Sequence, residues 1–263
     1  MHDDENHYTS TKNHYTSTKN HYTSVKNHYD DRAKHAPSIR ERAQLPMIQL
    51  LLANNRVKGH LISKYLNEGE SIFDMCCGKG GDAHRIAKQN PGRCLGVDIS
   101  PRCIDVARGR HDKQYGHIIQ YHVGDVTNRS FWLQTPPFDV LSSQFCLGYI
   151  YPDLEIEVML RYVNKYWIGT IVDDEELAYY KNNNVASIHA YNGKTFTFHM
   201  PPCVINAREF VVPWHTLCKR VEACGFTCIE SKRFHRYHMD QRLSTHEKAV
   251  HRLYRTFVFK RNE

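Results

Sequence analysis

The stretch of sequence that decides the fold is SIFDMCCGKGGD, residues 71–82. Its apolar first half predicts a buried strand, and its glycines predict a tight turn. From Asp82 to Lys88 the sequence continues at helical spacing, so a helix should begin directly behind the turn. This arrangement points backbone N–H groups and a helix N-terminus at a ligand beside the carboxyl end of the strand. The stretch therefore predicts a nucleotide-type cofactor site.

A second predicted strand, Arg93–Asp98, follows and ends in a carboxylate. Asp98 comes 24 residues after Asp74 (74 to 98), close to the spacing of about 20 at which an acid meets the ribose hydroxyls of a bound nucleotide. Positions 78, 80 and 83 also fit the dinucleotide pattern G-x-G-x-x-G/A. This segment alone therefore leaves open a nicotinamide, a flavin or an S-adenosylmethionine site.

The flanking segments favour one fold class. Strand and helix patterns alternate through most of the chain, which predicts an α/β fold with a mostly parallel seven-stranded sheet and helices on both faces. The further predicted strands are Ile118–Val123, Phe138–Gln144, Tyr166–Val172, Phe196–Met200, Phe226–Arg233 and Arg255–Lys260, and the predicted helices are Pro46–Leu66, Ile104–His111, Pro152–Asn164 and Trp214–Cys224. A sheet that ends in two late strands is typical of Rossmann-like class I methyltransferases, whereas a dehydrogenase usually lacks them.

The composition predicts one catalytic-type domain, residues 27–263, behind a disordered tail, residues 1–26. The chain has 263 residues, of which 41% are hydrophobic, and this is enough for one sizeable core. The tail repeats Asn-His-Tyr-Thr-Ser-Thr/Val-Lys three times in residues 6–26. The repeat has no apolar face at helical or strand periodicity and therefore has too little to bury.

Charge and cysteine content narrow the class of protein further. The net charge is +7, and residues 1–26 balance three acids against three lysines, so the basic excess belongs to the domain. A basic domain is a candidate for binding a polyanion, although ordinary surface charge gives the same count. Nine cysteines without regular spacing indicate reduced thiols, and the apolar runs are too short for a membrane span. We expect an intracellular protein with no membrane partner and no metal site.

Three acidic residues stand at or just beyond the ends of successive strands: Asp74, Asp98 and Asp125. The carboxyl ends of neighbouring parallel strands meet at one edge of a sheet, so these carboxylates should line one crevice. A cofactor with a positively charged amino acid tail, a ribose and an adenine would use all three. Each acid alone is equally well explained as a turn or cap residue, but three in register with a glycine loop favour S-adenosylmethionine.

The glycine stretch also carries a family resemblance. Residues 74–82, DMCCGKGGD, resemble the D-L-G-C-G-K-G-G-D signature of eukaryotic messenger RNA cap guanine-N7 methyltransferases. Four further segments resemble the family in the same order: Asn54-Asn55 with Lys58 (N-N-x-x-K), residues 144–149 (Q-F-x-x-H-Y), Glu209–Val212 (E-F-L-V) and Tyr254 in the last strand. Several matches in the correct order outweigh any one of them, and they extend over most of residues 25–263.

The resemblance implies an enzyme that transfers a methyl group from S-adenosylmethionine to N7 of the cap guanine, with 5′-capped RNA as its partner. It implies cofactor contacts by Lys58, Cys76, Gly78, Asp98, Asp125, Gln144 and Tyr149. It implies cap contacts by Asn54, Asn55, Lys79, Arg85, Arg110, Phe198, Glu209 and Tyr254. The residue types suit these roles, because cations suit a triphosphate, a carboxylate suits the N1–H and N2–H donors of guanine, and aromatic rings suit a purine.

The sequence predicts no general acid or base. N7 of guanine holds a free lone pair and loses no proton, so positioning by Tyr149 and Glu209 would suffice. The resemblance also implies a nuclear location and contact with other capping enzymes or the transcription machinery, and we expect a monomer. Two other functions stay open: methylation of another RNA position or a small molecule, and a catalytically silent cap-binding module.

Three positions depart from the family pattern. Cys76 replaces the first glycine of the loop, where a thiol fits only if the backbone does not need a positive φ. Gly148 stands where the family has a histidine, and Val172 stands where it has a proline. The last two changes alter walls of the expected guanine pocket, so they bear on cap binding more than on the methyl-donor site. Phe198 and Tyr254 also have a simpler explanation as packed aromatic residues.

Overall fold

The computed structural model describes residues 23–34, 41, 43–180, 187–200, 204–239 and 241–263. Residues 1–22, which hold most of the predicted repeat tail, and the Asn-rich connection at 182–184 lie outside the described residues. Residues 23–34 form a helix, α1, so the predicted end of the tail at residue 26 falls inside a helix. None of the helices in these ranges is both long enough and apolar enough to cross a lipid bilayer.

A seven-stranded sheet forms the centre of the fold. Its strands are β1 Ser71–Met75, β2 Arg93–Asp98, β3 Ile119–Val123, β4 Phe138–Gln144, β5 Val163–Val172, β9 Phe226–Arg233 and β10 Tyr254–Arg261. They lie in the order β3-β2-β1-β4-β5-β10-β9. The first five pair in parallel, whereas β10 runs antiparallel to both β5 and β9. The predicted fold class is confirmed, including the two late strands at one side of the sheet.

Helices cover both faces of this sheet. After α1 the chain forms α2 Ile48–Tyr65, α3 Ala83–Ala87, α4 Pro101–Tyr115, α5 Arg129–Leu133, α6 Leu147–Ile150, α7 Ile156–Met159, α8 Asp174–Tyr180, α9 Trp214–Glu222 and α10 Thr245–Arg252. Successive strand residues point to opposite faces. Ile72 therefore packs with α2, α3 and α4, while Phe73 packs on the face that α5, α7 and α9 cover. Each face buries an apolar core of its own.

The starts of two helices are fixed by local side chains. Ser100 Oγ accepts a hydrogen bond from the Cys103 N–H (3.0 Å), and Pro101 occupies the first turn of α4. α10 begins with a capping box, in which the side chains of Ser244 and Glu247 each bond the backbone N–H of the other. These contacts span three residues, so they define the helix starts independently of the rest of the fold.

The amphipathic helix predicted over Pro152–Asn164 is wrong for most of its length. α7 and a 3₁₀ turn at Leu160–Tyr162 take its place, and β5 already begins at Val163. Arg261 of β10 donates to the carbonyl oxygens of Leu160 (2.6 Å) and Val163 (2.7 Å). These two carbonyls are therefore not available to extend a helix. The contact joins residues that are far apart in the sequence, and an apolar periodicity cannot report it.

A second, three-stranded sheet lies beside α2 and α10. Its antiparallel strands are β6 Ile188–His189, β7 Thr195–Met200 and β8 Val204–Phe210. β8 is not among the predicted strands, and its backbone has a positive φ at Asn206 (49°). Phe196, Phe198 and Met200 pack with residues of α2 and α10 in a third apolar cluster. This sheet thereby brings Phe198 and Glu209 toward the ends of β4 and β5.

Candidate cofactor and substrate site

Two adjoining cavities lie beside the carboxyl ends of the parallel strands. The first cavity has a volume of about 200 Å³ and is lined by the glycine loop and the ends of β2 and β4. The second cavity, of about 290 Å³, lies between α2, the end of β5 and the small sheet. Tyr29, Phe145 and Tyr149 line both. Ligands in the two cavities would therefore meet at the same three side chains.

The glycine loop forms one wall of the first cavity. The backbone takes positive φ angles at Cys76 (56°), Gly78 (54°) and Gly80 (69°). Asp98 Oδ2 accepts from the Gly78 N–H (2.9 Å), and Oδ1 accepts from the Ser100 N–H (2.9 Å). Burial raises the pKa of Asp98, and these two hydrogen bonds oppose the rise. Each carboxylate oxygen can accept a second hydrogen bond, so Asp98 can both hold the loop and bind the hydroxyls of a ribose.

Two further predicted contacts line the first cavity. Asp125 Oδ1 accepts from the N–H (2.9 Å) and the hydroxyl (2.6 Å) of Thr127, which fixes the orientation of the carboxylate. Gln144 Nε2 donates to Ser142 Oγ (3.2 Å), while its Oε1 is buried and accepts no hydrogen bond from the described residues. An acceptor left unpaired in this way is costly. Gln144 therefore suits a ligand that brings a donor, such as the ammonium group of an amino acid tail.

The thiol at position 76 lies on a strained backbone. The sequence allowed Cys76 only if the loop did not need a positive φ, and the observed φ of 56° corrects that expectation. This conformation costs an L-residue about 1–2 kcal/mol. A hydrogen bond with the Cys146 thiol, followed by burial, raises the pKa of Cys76 well above its usual value. Both thiols line the first cavity, and as small uncharged groups they give this wall an apolar surface.

Lys58 was predicted to contact the cofactor, but it does not line the first cavity. It lines the second cavity, and its Nζ forms a buried ion pair with Asp82 Oδ2 (2.8 Å). Asp82 also accepts from Arg85 (3.0 Å). Burial and then the charge of Asp82 raise the pKa of Asp74 well above its usual value. The Lys58 ammonium also lies 5.8 Å from the ring centre of Phe145. Lys58 therefore balances carboxylates of the loop region, next to a residue that lines both cavities.

The second cavity combines aromatic rings with polar side chains. The rings of Phe145 and Tyr254 meet edge to face with centroids 4.8 Å apart, and Phe198 lies 6.5 Å from Tyr254 in the same geometry. The predicted cap contacts that line this cavity are Asn54, Asn55, Phe198, Glu209 and Tyr254. The lining also includes Tyr149, a predicted cofactor contact, and the altered positions Gly148 and Val172. Planar rings beside amide and carboxylate groups suit a purine with a hydrogen-bonding edge.

Glu209 is the buried carboxyl group of the second cavity. Its Oε1 accepts a hydrogen bond from the Tyr149 hydroxyl (2.9 Å). Burial raises the pKa of Glu209 to about 7, and the hydrogen bond from Tyr149 opposes this rise. Tyr149 also forms a hydrogen bond with Tyr29, and the two tyrosine rings pack edge to face at 5.7 Å. A hydrogen-bonded chain of three side chains therefore joins the shared wall of the cavities to Glu209.

The glycine at position 148 makes room for this carboxyl group. A Cβ on Gly148 would lie 2.6 Å from Glu209 Oε2, closer than nonbonded atoms approach, and would make a tight contact of 3.3 Å with Glu209 Cβ. A histidine, which the family has at this position, would therefore displace the Glu209 side chain. The Glu209 carboxyl group itself occupies the space beside Tyr149 that a side chain at position 148 would enter.

Arg85 was predicted to contact the cap triphosphate, but it does not line either cavity. Its guanidinium donates to Asn55 O (3.0 Å), Gly81 O (2.8 Å) and Asp82 Oδ1 (3.0 Å). These three acceptors belong to α2, the glycine loop and the residue just before α3. Arg85 therefore ties the loop to the helix that carries the two asparagines.

The other two predicted phosphate contacts, Lys79 and Arg110, also lie outside the linings of both cavities. Lys79 Nζ donates to Arg32 O at 3.4 Å, and Arg110 donates to Lys79 O at 3.5 Å. Both distances are at the long end for a hydrogen bond. Lysine and arginine cations of this kind also suit the oxygens of a phosphate, which carry the opposite charge.

Tyr29, which lines both cavities, and His251, which contacts Asn54, are among the residues absent from the predicted set. Tyr29 lies on α1, which Asp30 ties to Ser100 Oγ (2.6 Å) at the start of α4. The sequence signal near α1 is that the fourth copy of the repeat has Asp30 where the earlier copies have a threonine. His251 is fully buried, and its Nδ1 lies 2.8 Å from Asn54 Oδ1 across 197 residues of sequence. A contact between such distant residues leaves no local signal.

The chain is similar to curated cap methyltransferases. It is 27% identical over 244 residues to the mRNA cap guanine-N(7) methyltransferase of Candida glabrata, which covers 76% of this chain and 58% of that protein. The corresponding protein of Saccharomyces cerevisiae is 25% identical over 242 residues, which covers 74% of this chain and 55% of that protein. The chain thus spans less than two thirds of the length of these relatives.

Solved structures share the fold. Magnesium protoporphyrin IX methyltransferase from Synechocystis, with bound SAH, has a TM-score of 0.63 at 13% identity and covers 92% of this chain and 100% of that chain. An N-methyltransferase from Bradyrhizobium japonicum, in complex with S-adenosyl-L-homocysteine, has a TM-score of 0.58 at 14% identity and covers 93% and 100%. At these identities the likeness shows the fold alone.

A family model described as the mRNA (guanine-N(7))-methyltransferase domain matches residues 12–183. The match begins inside the N-terminal repeat and continues through the glycine loop to the end of α8 and just beyond. It covers well over half of the chain, and it confirms the resemblance that the loop and the segment at 144–149 indicated. The chain belongs to the mRNA (guanine-N(7))-methyltransferase domain family.

Proposed function

We propose that this chain transfers a methyl group from S-adenosylmethionine to N7 of the guanine in the cap of a 5′-capped RNA. The observation that carries the proposal is the junction of two cavities at Tyr149, whose hydroxyl bonds the buried Glu209 carboxyl group (2.9 Å). A methyl donor in the first cavity and a guanine in the second would meet there. The family of the chain and the names of its relatives support the same activity.

The first cavity would hold S-adenosylmethionine, which supplies a methyl group on a positively charged sulfur. Asp98 would accept from the ribose hydroxyls, Asp125 from the adenine amino group, and Gln144 Oε1 from the ammonium group of the tail. Lys58 is paired with Asp82 (2.8 Å), so it would share its three donors with that residue if it also bound the cofactor carboxylate. These groups match the polar ends of the cofactor and leave the apolar wall for the carbon atoms around its sulfur.

The second cavity would hold the cap guanine. An ionised Glu209 only accepts hydrogen bonds, so it would pair with N1–H and N2–H of guanine and would disfavour adenine, whose N1 is an acceptor. Asn54 would supply amide donors, while Phe198 and Tyr254 would supply aromatic surface against the base. Tyr149 would hold the carboxylate in place through its hydroxyl. The cavity thereby selects guanine by the direction of its hydrogen bonds.

The reaction would depend on alignment. N7 loses no proton during methylation, so the chain needs no general base and acts by holding the two reactants together and excluding water. Positive charge grows on guanine as it leaves the sulfur. The negative charge of Glu209 would stabilise the purine as this charge develops, and Tyr149 would position the reacting groups from the wall that both cavities share.

The triphosphate would bind to Lys79 and Arg110. Both side chains carry a positive charge that matches the negative charge of the phosphates, and Arg110 donates to the backbone of Lys79 itself (3.5 Å). Arg85 has three protein acceptors at 3.0 Å or less, so its contribution would be to hold Asn55 and Gly81 in place. This assignment revises the direct contact that the resemblance implied for Arg85.

The biological setting follows from the same activity. A capped RNA as substrate agrees with the net charge of +7, which favours a polyanion. The relatives are named for the mRNA cap. A nuclear location, and contact with other capping enzymes or the transcription machinery, are part of this proposal because caps are built on nascent transcripts.

Transfer of labelled methyl from S-adenosylmethionine to GpppG tests the proposal, with ApppA and GTP as matched acceptors. We expect label on GpppG and little on ApppA, which has no guanine. Label that appears on internal RNA positions or on a small molecule, but not on GpppG, would assign a different acceptor. S-adenosylhomocysteine binding without any methyl transfer would assign a silent cap-binding module. The changed positions Gly148 and Val172 bear on the former alternative, a methyltransferase with a different acceptor.

A further inference from the structure

α10 docks against α2 through two buried side chains one helical turn apart. Glu247 Oε1 accepts from the N–H of Leu50 near the start of α2 (3.3 Å), and His251 Nδ1 lies 2.8 Å from Asn54 Oδ1. The two contacts have the same spacing on both helices, because Glu247 and His251 are four residues apart on α10 and Leu50 and Asn54 are four residues apart on α2. Residues four apart lie on one face of a helix. α10 therefore contacts the Asn54 side chain of α2 through His251.

Asn54 lines the second cavity and is nine-tenths buried. Its Oδ1 is an acceptor, so the Nδ1 atom of His251 that faces it carries the proton. Within the described part of the chain, the Asn54 Nδ2 group makes no hydrogen bond of its own. The His251 ring is fully buried and packs against Phe234 with centroids 5.2 Å apart. The ring is thus confined by packing and can hold the amide in one orientation.

We infer that His251 is a positioning residue that turns the Asn54 amide so that its Nδ2 donors face an acceptor oxygen of the capped nucleotide in the second cavity. The inference rests on the proposed function. Without this hydrogen bond the amide could rotate by half a turn, which would present Oδ1 to the ligand for part of the time. The expected loss is that of one oriented hydrogen bond, about 3- to 10-fold in affinity for the cap.

A set of variants in the full chain tests this role, with the dissociation constants of GpppG and S-adenosylhomocysteine measured by titration calorimetry. His251→Leu should weaken GpppG binding about 3- to 10-fold and leave S-adenosylhomocysteine binding unchanged. His251→Asn restores an amide donor near the place of Nδ1 and should recover most of the loss. In an Asn54→Ala background, His251→Leu should cause no further loss of GpppG affinity, because the histidine acts through the asparagine.

Two matched controls lie on the same helix. His246→Leu changes an exposed histidine of α10 and should alter neither constant. Val250→Ala removes buried apolar surface from α10 and should lower the melting temperature while GpppG affinity stays as in the wild type. If His251→Leu behaves like Val250→Ala, the residue is structural and the inference is wrong.

A readout on the unsubstituted protein keeps the test independent of how well the variants fold. The ¹⁵N chemical shifts of His251 should show a proton on Nδ1, and a proton on Nε2 alone would overturn the inference. Failure of the wild type to bind or methylate GpppG would instead overturn the proposed function and this inference with it. Wild-type binding with an unchanged constant in His251→Leu would overturn the inference alone.

Discussion

Replacing Glu209 by glutamine tests the assignment of the second cavity most directly. The two side chains have nearly the same shape, so the change removes the negative charge and one acceptor but keeps the packing. In the proposed complex the carboxylate accepts from guanine N1–H and N2–H, and each hydrogen bond to a charged group contributes about 1.5–3 kcal/mol. Glutamine loses one of these bonds, places an N–H beside a donor, and makes the other bond neutral, which is about half as strong.

The combined loss is about 2–4 kcal/mol, which lowers kcat/KM for GpppG by about 30- to 1,000-fold at 1.36 kcal/mol for each tenfold change. Initial rates of labelled methyl transfer measure this quantity. S-adenosylhomocysteine affinity should remain near the wild-type value, because Glu209 lines the second cavity and not the first. The matched control is Glu230→Gln, since Glu230 bonds Lys64 and Tyr65 (2.6 and 2.7 Å) and lines neither cavity.

A folded Glu209→Gln protein whose kcat/KM for GpppG stays within about threefold of the wild type would refute the assignment of this carboxyl group to the guanine. A loss of equal size for Glu230→Gln would show that the effect comes from general destabilisation. Loss of S-adenosylhomocysteine binding in Glu209→Gln would place the carboxyl group in the cofactor site, contrary to the geometry of the two cavities.

Four further predictions concern Glu209, Asp98 and Cys76. Burial raises the pKa of Glu209 from 4.5 to about 7, so kcat/KM for GpppG should rise as pH increases from about 6 to 8, and Glu209→Gln should flatten that profile. The folded state holds this proton more tightly than the unfolded state does, so the free energy of unfolding, measured with denaturant, should fall as pH rises between 4.5 and about 7. Asp98→Ala should weaken S-adenosylhomocysteine binding by at least about tenfold in calorimetry, with little change for GpppG. The free energy of unfolding, measured with denaturant, should be about 1 kcal/mol higher for Cys76→Gly than for Cys76→Ala, since both lack the thiol and only glycine accepts the positive φ without strain. Equal unfolding midpoints for the two variants would show that the backbone at position 76 is not strained.

The sequence predicted the parts of the fold that depend on local pattern. The strands Arg93–Asp98 and Phe138–Gln144 have the predicted bounds, because apolar runs and turn residues define a buried parallel strand from within. The boundary between α7 and β5 could not be predicted, since it depends on Arg261 bonding two carbonyls from another strand. β8 was also missed: its backbone takes a positive φ at Asn206, which interrupts the regular pattern from which a strand is predicted.

The sequence predicted part of the candidate site, as it predicted part of the fold. The glycine pattern and the strand-end acids indicated Asp98 and Asp125, because the carboxyl ends of parallel strands must share one edge of a sheet. The resemblance divided the residues into cofactor and cap contacts, but the shapes of the two cavities and the place of Lys58 in the second were not predictable. Tyr29 reaches Tyr149, and Arg85 binds backbone carbonyls rather than facing a cavity, only because the fold brings distant segments together. Residue type suggests the chemistry, whereas the partner of each side chain follows from packing.

The position of β10 has a consequence for how the protein matures. This strand enters the sheet between β5 and β9, both of which precede it in the chain, and it begins with Tyr254 in the wall of the second cavity. A nascent chain that ends before Tyr254 exposes the edges of β5 and β9 and lacks that wall. Pairing over such long sequence separations is slow, and unpaired strand edges attract other chains. A partly synthesised molecule therefore has an unfinished second cavity, and it exposes two unpaired strand edges until β10 pairs with them.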